Sequence, residues 1–259
     1  MKEVIMQWPT GEMGQFLDDH IDDCVEKHDN GYSKLNEKAK TMQGMVQEGA
    51  RNLLNLLVDF DGCNYMQVGT WKGACLYSAL YKNKPNYAFA CDNFSQFALR
   101  QGASFKDGNG GMKTHMNLNS DVMLGLMSSE EEEPMEFEFY DGDSFGIPLD
   151  LIKEPINVYF YDGDHSLGSH FMALYYYYPV LADEFIFICD DWPEDQVRAG
   201  TWAGIESCNY VTRREVVREN MFIAHIIKDT LWEKRRKARK SFELCKLNNE
   251  GIVKEPIQR

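Results

Sequence analysis

Two acidic clusters, each directly behind a strand-like apolar run, limit most strongly what this chain can fold into. Asp162-Gly163-Asp164-His165 follows the apolar run 157–161, and Asp190-Asp191 follows the run 185–189. The helix-length segment 166–181 between them predicts a strand–helix–strand crossover, which makes the two strands parallel neighbours. Both clusters then lie at the carboxyl ends of adjacent strands, where open α/β sheets bind their ligands.

Carboxylates crowded at one sheet edge repel one another unless a cation or a proton separates them. An oxygen-rich site of this kind suits Mg²⁺, Mn²⁺ or Ca²⁺. The alternative interpretation is a set of helix caps and solvated turns, because aspartate is common in both after a strand. The residues upstream of the two clusters favour the metal site.

The charge of the chain argues against nucleic acid and anionic membranes as its main partners. The 259 residues carry a formal net charge of −14 at pH 7, which is repelled by both kinds of surface. The basic run 234–240 predicts a solvated helix face or an exposed loop, with an anion-binding patch as the alternative, and the acidic run 130–133 predicts a surface loop. No signal peptide or transmembrane span is visible, and seven cysteines without a C-x-x-C pair are typical of buried thiols in a reducing compartment. A cytoplasmic location is therefore expected.

Strand-like and helix-like segments alternate along most of the chain. This alternation predicts an α/β fold with a Rossmann-like, doubly wound and mostly parallel sheet and flanking helices. The strand candidates are 65–68, 87–91, 136–140, 157–161, 185–189, 221–227 and 242–247, and the glycine-rich segment 102–111 predicts a loop. The sheet domain spans 59–259, after an N-terminal extension over 1–58. Within that extension, apolar residues at helical spacing over 34–58 predict one amphipathic helix.

Residues 1–33 are acidic, and we expect irregular chain or an exposed polar helix there. His20, Cys24 and His28 would share one face of such a helix, a spacing that zinc can use. The polar helix is the favoured interpretation, because structural zinc sites usually draw their ligands from two separate segments. The role of the segment is open between a lid, an oligomer contact and a tail, so a homo-oligomer is one of the assemblies left open.

A glycine-containing turn between a strand and a helix indicates a nucleoside site. In Gln67-Val68-Gly69-Thr70-Trp71-Lys72-Gly73, Gly69 allows close backbone approach to a ligand, and Gly73 lets the helix pack against the strand. Asp92, about 20 residues on at the end of the next strand, can accept hydrogen bonds from a ribose diol. The turn lacks the G-x-G-x-x-G spacing of NAD or FAD sites and the Lys-Ser/Thr loop of ATP sites.

Four segments occur in the order found in class I S-adenosylmethionine-dependent methyltransferases: 68–73, 91–95, 140–144 and 160–166. They most resemble the subgroup with a D-G-x-H motif, which includes many small-molecule and sugar O-methyltransferases. The resemblance covers about 46–191 and implies S-adenosyl-L-methionine as the cofactor.

The residues that the resemblance assigns to the cofactor follow successive strands of the sheet. Those along its methionine and ribose portions are Gly69, Thr70, Trp71, Gly73, Asp92 and Asn93; those near the adenine are Asp143 and Ser144; Gln67 and Asp162 complete the set. Gln67 replaces an acidic residue usual in the family, and Cys75 replaces a Ser or Thr. The uncharged Gln67 side chain lowers the expected affinity. For Asp143, a turn formed by its side chain is the alternative to adenine contact.

For the reaction itself, the resemblance implies methyl transfer to a hydroxyl of a small molecule, with a sugar or glycoside as the expected acceptor. Asp162, Asp190 and Asp191 would hold Mg²⁺ or Mn²⁺, which lowers the pKa of a bound hydroxyl. His165 or Asp164 would act as general base, and His165 is favoured because its unperturbed pKa of about 6.5 suits neutral pH. A metal-independent methyltransferase and a non-catalytic cofactor-binding or assembly protein are the alternatives.

Overall fold

A seven-stranded sheet organises the part of the chain that this computed structural model describes, residues 12–94 and 135–229. Its strands are β1 (Asn64–Val68), β2 (Tyr87–Asp92), β3 (Glu138–Asp141), β4 (Ile156–Tyr161), β5 (Leu181–Cys189), β6 (Tyr210–Arg218) and β7 (Met221–Lys228). They lie in the order β3-β2-β1-β4-β5-β7-β6. Strand β7 runs antiparallel to β5 and β6, and the other pairs are parallel. The predicted Rossmann-like, mostly parallel α/β sheet is confirmed.

Helices cover both faces of the sheet. They are α1 (Glu12–Asp29), α2 (Glu37–Thr41), α3 (Glu48–Leu57), α4 (Ala74–Leu80), α5 (Leu167–Tyr176) and α6 (Asp195–Ser207). Alternate residues of β1 enter two different cores: Tyr65 packs with α1, α3 and α4, and Met66 packs with α5 and α6. Burial on both faces explains why the central strands are near-continuous apolar runs in the sequence. None of these described helices is long and apolar enough to cross a membrane.

The strands predicted from apolar runs coincide with β1 to β5 and β7 apart from their ends. The crossover also runs as predicted, since β4 and β5 are parallel neighbours. Strand β5 begins earlier than expected. The polar Asp183 and Glu184 near its start are the reason that the apolar pattern did not include these first residues. The edge strand β6 was missed, because charged side chains such as Arg213 and Arg214 interrupt its apolar pattern. The candidate strand 242–247, the loop 102–111 and the charged runs 130–133 and 234–240 lie outside the described residues.

Helix α1 corrects the expectation for the N-terminal segment. It is a regular helix and not an exposed polar one, because three residues on one of its faces are buried: Leu17, Ile21 and Cys24. Its acidic side contacts the sheet edge as well, and Asp18 Oδ2 lies 2.6 Å from Arg213 Nε of β6. The abundant acidic residues of this segment obscured an apolar stripe that packs on the sheet.

The predicted single helix over 34–58 is wrong, because α2 and α3 are separate helices joined by residues 42–47. The buried guanidinium of Arg51 in α3 accounts for the interruption. It donates hydrogen bonds to four backbone carbonyls, those of Ala39, Lys40, Met42 and Val46. A continuous helix would use most of these carbonyls within itself. Gly44 in the connection also lies close to Ala74, since a Cβ on Gly44 would be 2.6 Å from the Ala74 Cβ.

Strands β1 and β4 form the topological switch point of the sheet. From β1 the chain proceeds outward to β2 and β3, and it then returns to the other side of β1 to form β4 and β5. The loops that follow β1, β2, β4 and β5 therefore meet at one edge. A crevice at such an edge is where open α/β sheets bind their ligands.

Candidate active site at the carboxyl edge of the sheet

Two adjoining clefts open at this edge and share a wall formed by Gly69, Asp92, Asp162 and Gly163. The turn cleft has a volume of about 670 Å³, and it is also lined by residues 44–46, Thr70, Trp71, Lys72, His165, Asp190 and Asp191. The β3 cleft has a volume of about 900 Å³, and it is also lined by Asn93, Asp143, Ser144, Phe145, Asp164 and Ser169. Both volumes include space open to solvent. Every site residue expected from the sequence lines one of the clefts, except Gln67 and Gly73.

Gly69 allows the turn after β1 to pass directly against the loop after β4. Its φ of +85° lies in the left-handed region, and a Cβ at this position would be 1.9 Å from the carbonyl oxygen of Asp162. The Asp162 N–H donates in turn to the carbonyl of Val68 at 2.9 Å. Only glycine fits this contact between two backbones. The contact places Asp162 on the wall that both clefts share.

Asp92 is the last residue of β2, and its carboxylate lies against the glycine turn. Its Oδ2 accepts hydrogen bonds from the N–H groups of Thr70 and Trp71, both at 2.7 Å, and its Oδ1 accepts one from Phe94 N–H at 2.6 Å. Trp71 and Phe94 have positive φ values of 44° and 54°, which are strained for these residue types. The carboxylate holds the turn in this shape. Among the described residues Oδ1 accepts this single hydrogen bond, so it retains a lone pair for a ribose hydroxyl.

Gln67 and Gly73 support the turn from behind and do not line either cleft. The buried Gln67 side chain donates from Nε2 to the Gly69 carbonyl at 2.7 Å, and its Oε1 accepts from the Tyr65 hydroxyl at 2.9 Å. Gly73 precedes α4 as its N-cap with a φ of +81°. Contact of either residue with a cofactor stays a prediction.

The loop after β3 lines the β3 cleft at the end expected for the adenine. Asp143 Oδ1 accepts a hydrogen bond from Phe145 N–H at 3.1 Å, which is the turn-forming contact considered from the sequence as the alternative. Phe145 was not singled out from the sequence, and it is an aromatic residue in the lining of this cleft. The Tyr177 hydroxyl, just after α5, donates to the Ser144 carbonyl and fixes this loop.

Asp162 and Asp190 lie in enclosed positions close to other negative charges. Burial, followed by the charges of Asp190, Asp191 and Asp92, raises the pKa of Asp162 well above its ordinary value. Burial also raises the pKa of Asp190 to about 6, although a hydrogen bond from the Asp191 backbone opposes this shift. A bound cation would relieve the repulsion that these carboxylates share.

Three side chains of the turn cleft can direct one ligand atom each towards a common point: Asp162, His165 and Asp191. Their ligand atoms lie within 4.8 Å of one another, and no other group of three His, Cys, Asp or Glu side chains in the described residues does so. Asp190 lies beside the group, where its Oδ1 accepts a hydrogen bond from Asp191 N–H at 2.9 Å. These residues fit a divalent cation, and they add an imidazole to the carboxylates expected from the sequence.

His165 lies between two carboxylates. Its Nε2 is 2.9 Å from Asp191 Oδ2, and its Nδ1 is 3.1 Å from Glu194 Oε1. The hydrogen bond with Asp191 raises the pKa of His165, and the carboxylate charges outweigh the opposing effect of burial. Both nitrogens face carboxylates, so neither is directed at a substrate hydroxyl. The general-base role favoured for His165 stays a prediction, and this geometry does not favour it.

Asp164 lines the β3 cleft next to the shared wall. Its Oδ2 accepts hydrogen bonds from Ser166 N–H at 3.1 Å and from the Ser169 hydroxyl at 2.8 Å. Burial raises the pKa of Asp164, but the hydrogen bonds from Ser166 and Ser169 outweigh it, and the net pKa is lowered. The group is therefore ionised at neutral pH and can accept a proton.

The zinc arrangement considered for α1 is not formed. His20 Nε2 lies 3.2 Å from the Leu57 carbonyl, whereas His28 Nε2 lies 3.1 Å from Glu219 Oε1. Burial raises the pKa of Cys24 to about 12, which disfavours the thiolate that zinc requires. These side chains connect α1 to the rest of the fold.

Arg198 and His170 have structural roles. Arg198 Nη1 donates to the carbonyls of Trp192 and Pro193, and Arg198 Nη2 pairs with Asp195. His170 on α5 is buried in the core, and burial lowers its pKa to about 4.

Sequence reasoning missed two more residues that line the turn cleft, Met45 and Lys72, and the contact of Glu194 with His165. Met45 lies in a segment with helical periodicity, so nothing marked it as a cleft residue. Lys72 follows the glycine turn but has no partner that a linear motif reveals. Glu194 lies three residues after the second acidic cluster, and that position was the one available signal.

No protein-family model and no curated protein matches this chain. Among solved structures it is similar to an O-methyltransferase from Bacillus cereus in complex with SAH, at a TM-score of 0.45 and 12% identity, over 84% of this chain and 97% of that one. It is also similar to TrmK from M. capricolum in complex with SAH, at a TM-score of 0.45 and 14% identity, over 73% and 70% of the two chains. TrmN from Thermus thermophilus gives a TM-score of 0.42 and 13% identity, over 74% of this chain and 51% of that one. The likeness is one of fold.

Proposed function

We propose that this protein is an S-adenosylmethionine-dependent methyltransferase that acts on a hydroxyl of a small molecule, with a sugar or glycoside as the acceptor class and a divalent metal as an aid. The observation that carries the proposal is the wall that the two clefts share at Asp162. A donor in the β3 cleft and an acceptor in the turn cleft would meet at this wall. Direct transfer between two bound molecules requires such proximity.

Features of the β3 cleft support a nucleoside there. Asp92 Oδ1 keeps a lone pair for a ribose hydroxyl, and the Phe145 ring offers a face for a planar base. Gly69 presents bare backbone on the shared wall, so a ligand can approach it closely. The residues therefore fit the cofactor that the sequence motifs imply.

The turn cleft would hold the metal through Asp162, His165 and Asp191, with Asp190 beside them. When bound, the ion would lower the pKa of an acceptor hydroxyl and orient it. The raised pKa values of Asp162 and Asp190 support this assignment, because a cation stabilises enclosed carboxylates in their ionised form.

A small molecule suits the turn cleft better than a nucleic acid does. The cleft contains four aspartates, Asp92, Asp162, Asp190 and Asp191, and a single lysine, Lys72. The whole chain carries a formal net charge of −14. A phosphate backbone would be repelled by both, whereas the neutral hydroxyls of a sugar would not.

We assign Asp164 as the general base that accepts the proton of the acceptor hydroxyl. It is ionised at neutral pH and lies next to the shared wall, while both nitrogens of His165 face carboxylates. We expect Asp164→Asn to lower kcat for methyl transfer by about 10²- to 10⁴-fold, as is usual for loss of a general base. The affinity for SAH should be unchanged in this variant, which calorimetry would check. A kcat of Asp164→Asn within threefold of the wild-type value would show that another group accepts the proton.

Isothermal titration calorimetry with SAH tests the cofactor part of the proposal. We expect saturable binding to the wild type that is weakened at least tenfold in Asp92→Ala and in Phe145→Ala. Phe145→Ala leaves the hydrogen bonds of the glycine turn intact, so it separates cofactor contact from loss of the turn. Asp183→Ala, an exposed aspartate at the start of β5, serves as the control. A folded wild type that binds neither SAH nor S-adenosylmethionine would overturn the proposal.

Transfer of a labelled methyl group to a panel of sugars and glycosides tests the remaining parts. We expect turnover that is lost in EDTA and restored by Mg²⁺ or Mn²⁺. Turnover that survives EDTA would instead support the metal-independent enzyme. Binding of SAH without transfer to any acceptor of the panel would support the non-catalytic cofactor-binding protein.

A further inference from the structure

We infer that His165 is a direct ligand of the metal through Nε2, that Glu194 positions its ring, and that the site consequently prefers Mn²⁺ to Mg²⁺. The inference rests on the metal part of the proposed function. It adds a nitrogen ligand to the carboxylates and gives a role to Glu194, which the sequence motifs leave unassigned.

The separation of the two nearest ligand atoms matches coordination of a single ion. His165 Nε2 lies 2.9 Å from Asp191 Oδ2. Two ligands at right angles around an ion, each about 2.1 Å from it, are about 3.0 Å apart. These two atoms can therefore bind one ion with little movement. Asp162 can supply a third, because all three ligand atoms lie within 4.8 Å of one another.

Glu194 contacts the nitrogen of His165 that faces away from this point, with Oε1 3.1 Å from Nδ1. Glu194 is the N-cap residue of α6, yet its side chain makes no capping hydrogen bond. Helix capping therefore does not account for the direction of this side chain. A carboxylate that accepts Nδ1–H leaves the Nε2 lone pair free for a metal, and most metal-binding histidines have such a partner.

The ligand Asp191 and the positioning residue Glu194 belong to one turn. Glu194 N–H donates to the Asp191 carbonyl at 3.0 Å. Arg198 Nη1 donates to the carbonyls of the two residues between them, Trp192 at 2.9 Å and Pro193 at 2.6 Å. The turn is thus held from α6, so that Glu194 and Asp191 keep a fixed separation on either side of the His165 ring.

Asp162 supplies an independent reason to expect an ion. Within residues 12–94 and 135–229, no side chain or backbone N–H donates a hydrogen bond to its carboxylate, although the group is enclosed and lines both clefts. An enclosed carboxylate of this kind is stabilised by a cation that it shares with its neighbours.

The combination of ligands determines which ion the site prefers. Asp162 and Asp191 supply oxygen, which both Mg²⁺ and Mn²⁺ accept, and His165 supplies an imidazole nitrogen. Mg²⁺ is bound mainly by oxygen, whereas first-row transition ions bind imidazole readily. The nitrogen therefore shifts the preference from Mg²⁺ towards Mn²⁺.

Pulsed electron paramagnetic resonance of the full chain loaded with Mn²⁺ tests the ligand directly. We expect ¹⁴N modulation from a coordinated imidazole in the wild type. His165→Asp should still bind Mn²⁺ through oxygen, but the modulation should disappear and the ratio of Mn²⁺ to Mg²⁺ affinity should fall at least tenfold. Because His165→Asp is expected to retain the ion, loss of the signal cannot arise from loss of binding.

Variants at Glu194 test the positioning role. We expect Glu194→Ala to weaken Mn²⁺ binding by about 10- to 100-fold, the usual effect of removing the partner of a metal-binding histidine. Glu194→Gln should recover part of the affinity, since its amide oxygen can still accept Nδ1–H. Asp195→Ala is the matched control, because it removes the adjacent carboxylate, which pairs with Arg198. An equal loss in Asp195→Ala and Glu194→Ala would show an effect on the turn alone and would overturn the positioning role.

The outcomes separate this inference from the proposed function. Mn²⁺ binding without ¹⁴N modulation in the wild type would overturn the nitrogen ligand. Absence of Mn²⁺ binding would overturn both the ligand and the metal part of the proposed function. Failure to bind SAH, measured separately by calorimetry, would overturn the methyltransferase and leave the metal result standing.

Discussion

Gly69 stands where the backbone after β1 touches the backbone after β4, and the position of Asp162 depends on that contact. A Cβ at residue 69 would be 1.9 Å from the Asp162 carbonyl oxygen, well inside any permissible contact distance. The sequence indicated a glycine suited to close approach of a ligand. The structure shows that the approaching group is the protein's own backbone, which no linear pattern reveals.

We expect Gly69→Ala to be destabilised by at least about 2 kcal/mol more than Gly62→Ala, because both suffer backbone strain but only residue 69 also clashes. Gly62 has a similar φ of +87° and no atom within 4 Å of its would-be Cβ. Urea unfolding followed by circular dichroism measures the difference. Equal losses in the two variants would mean that the contact with Asp162 has no energetic consequence.

Asp190 makes stability depend on pH in the opposite sense to an ordinary salt-bridged carboxylate. Its pKa is about 6 in the folded protein, above the value of about 3.9 for an unfolded aspartate. The folded state therefore binds the proton more tightly, and its stability falls as pH rises between about 4 and 6. Above that window the full cost of ionising an enclosed carboxyl group is present.

Accordingly, we expect Asp190→Asn to be more stable than the wild type by about 1–3 kcal/mol at pH 7.5 in EDTA, with no difference near pH 4. The amide oxygen can still accept the hydrogen bond from Asp191 N–H. The exposed Asp195→Asn should match the wild type at both pH values. Urea unfolding at the two pH values measures these differences, and a wild type more stable than Asp190→Asn at pH 7.5 would contradict the expectation.

At the scale of elements, the connection between α2 and α3 shapes one side of the turn cleft. Residues 44–46 line that cleft, and the Arg51 guanidinium holds the connection through its backbone carbonyls. Apolar spacing over 34–58 suggested one helix because helical periodicity persists across the interruption. The interruption arises from a buried charged group, and its hydrogen-bonding partners cannot be recognised by periodicity.

Replacement of Arg51 by methionine should destabilise the fold by about 2–4 kcal/mol, since it leaves buried carbonyls without a donor. Arg218→Met, at an arginine of β6 with a 46% exposed side chain, should change stability by less than about 0.5 kcal/mol. Thermal and urea unfolding of the two variants provide the measurement. Similar stabilities for the two would indicate that water replaces the guanidinium at little cost.

At the scale of the whole molecule, both clefts lie on one rim of the sheet, so ligands should stabilise the entire fold. SAH at 100 times its Kd is expected to add about 2.7 kcal/mol to the free energy of unfolding, provided that it binds only the folded state. Mn²⁺ should add its own increment in the absence of SAH. Urea unfolding with each ligand alone and with both together gives the two increments. No increment from SAH at saturating concentration would contradict a cofactor site in the folded protein.

The sequence by itself determined the sheet and the edge at which the candidate site lies. Apolar runs, either alternating with polar residues or continuous as in strands buried on both faces, predict β1, β2, β4 and β5. Parallel strands that alternate with helices have their carboxyl ends at one edge of the sheet. Asp92, Asp162 and Asp190, each at a strand end, are therefore brought to that edge by local pattern alone. Neither β6 nor the connection between α2 and α3 could be predicted from local pattern, because each depends on contacts with distant segments.

Only the tertiary structure decided which of these side chains can act together. His165 and Glu194 are 29 residues apart in the sequence, and their contact depends on how the turn after β5 faces the loop after β4. Asp190 and Asp191 are neighbours in the chain, yet only Asp191 joins Asp162 and His165 around a common point. Side-chain direction at the end of a strand is set by the packing of loops from several strands. That packing is a property of the folded chain and not of any segment of it.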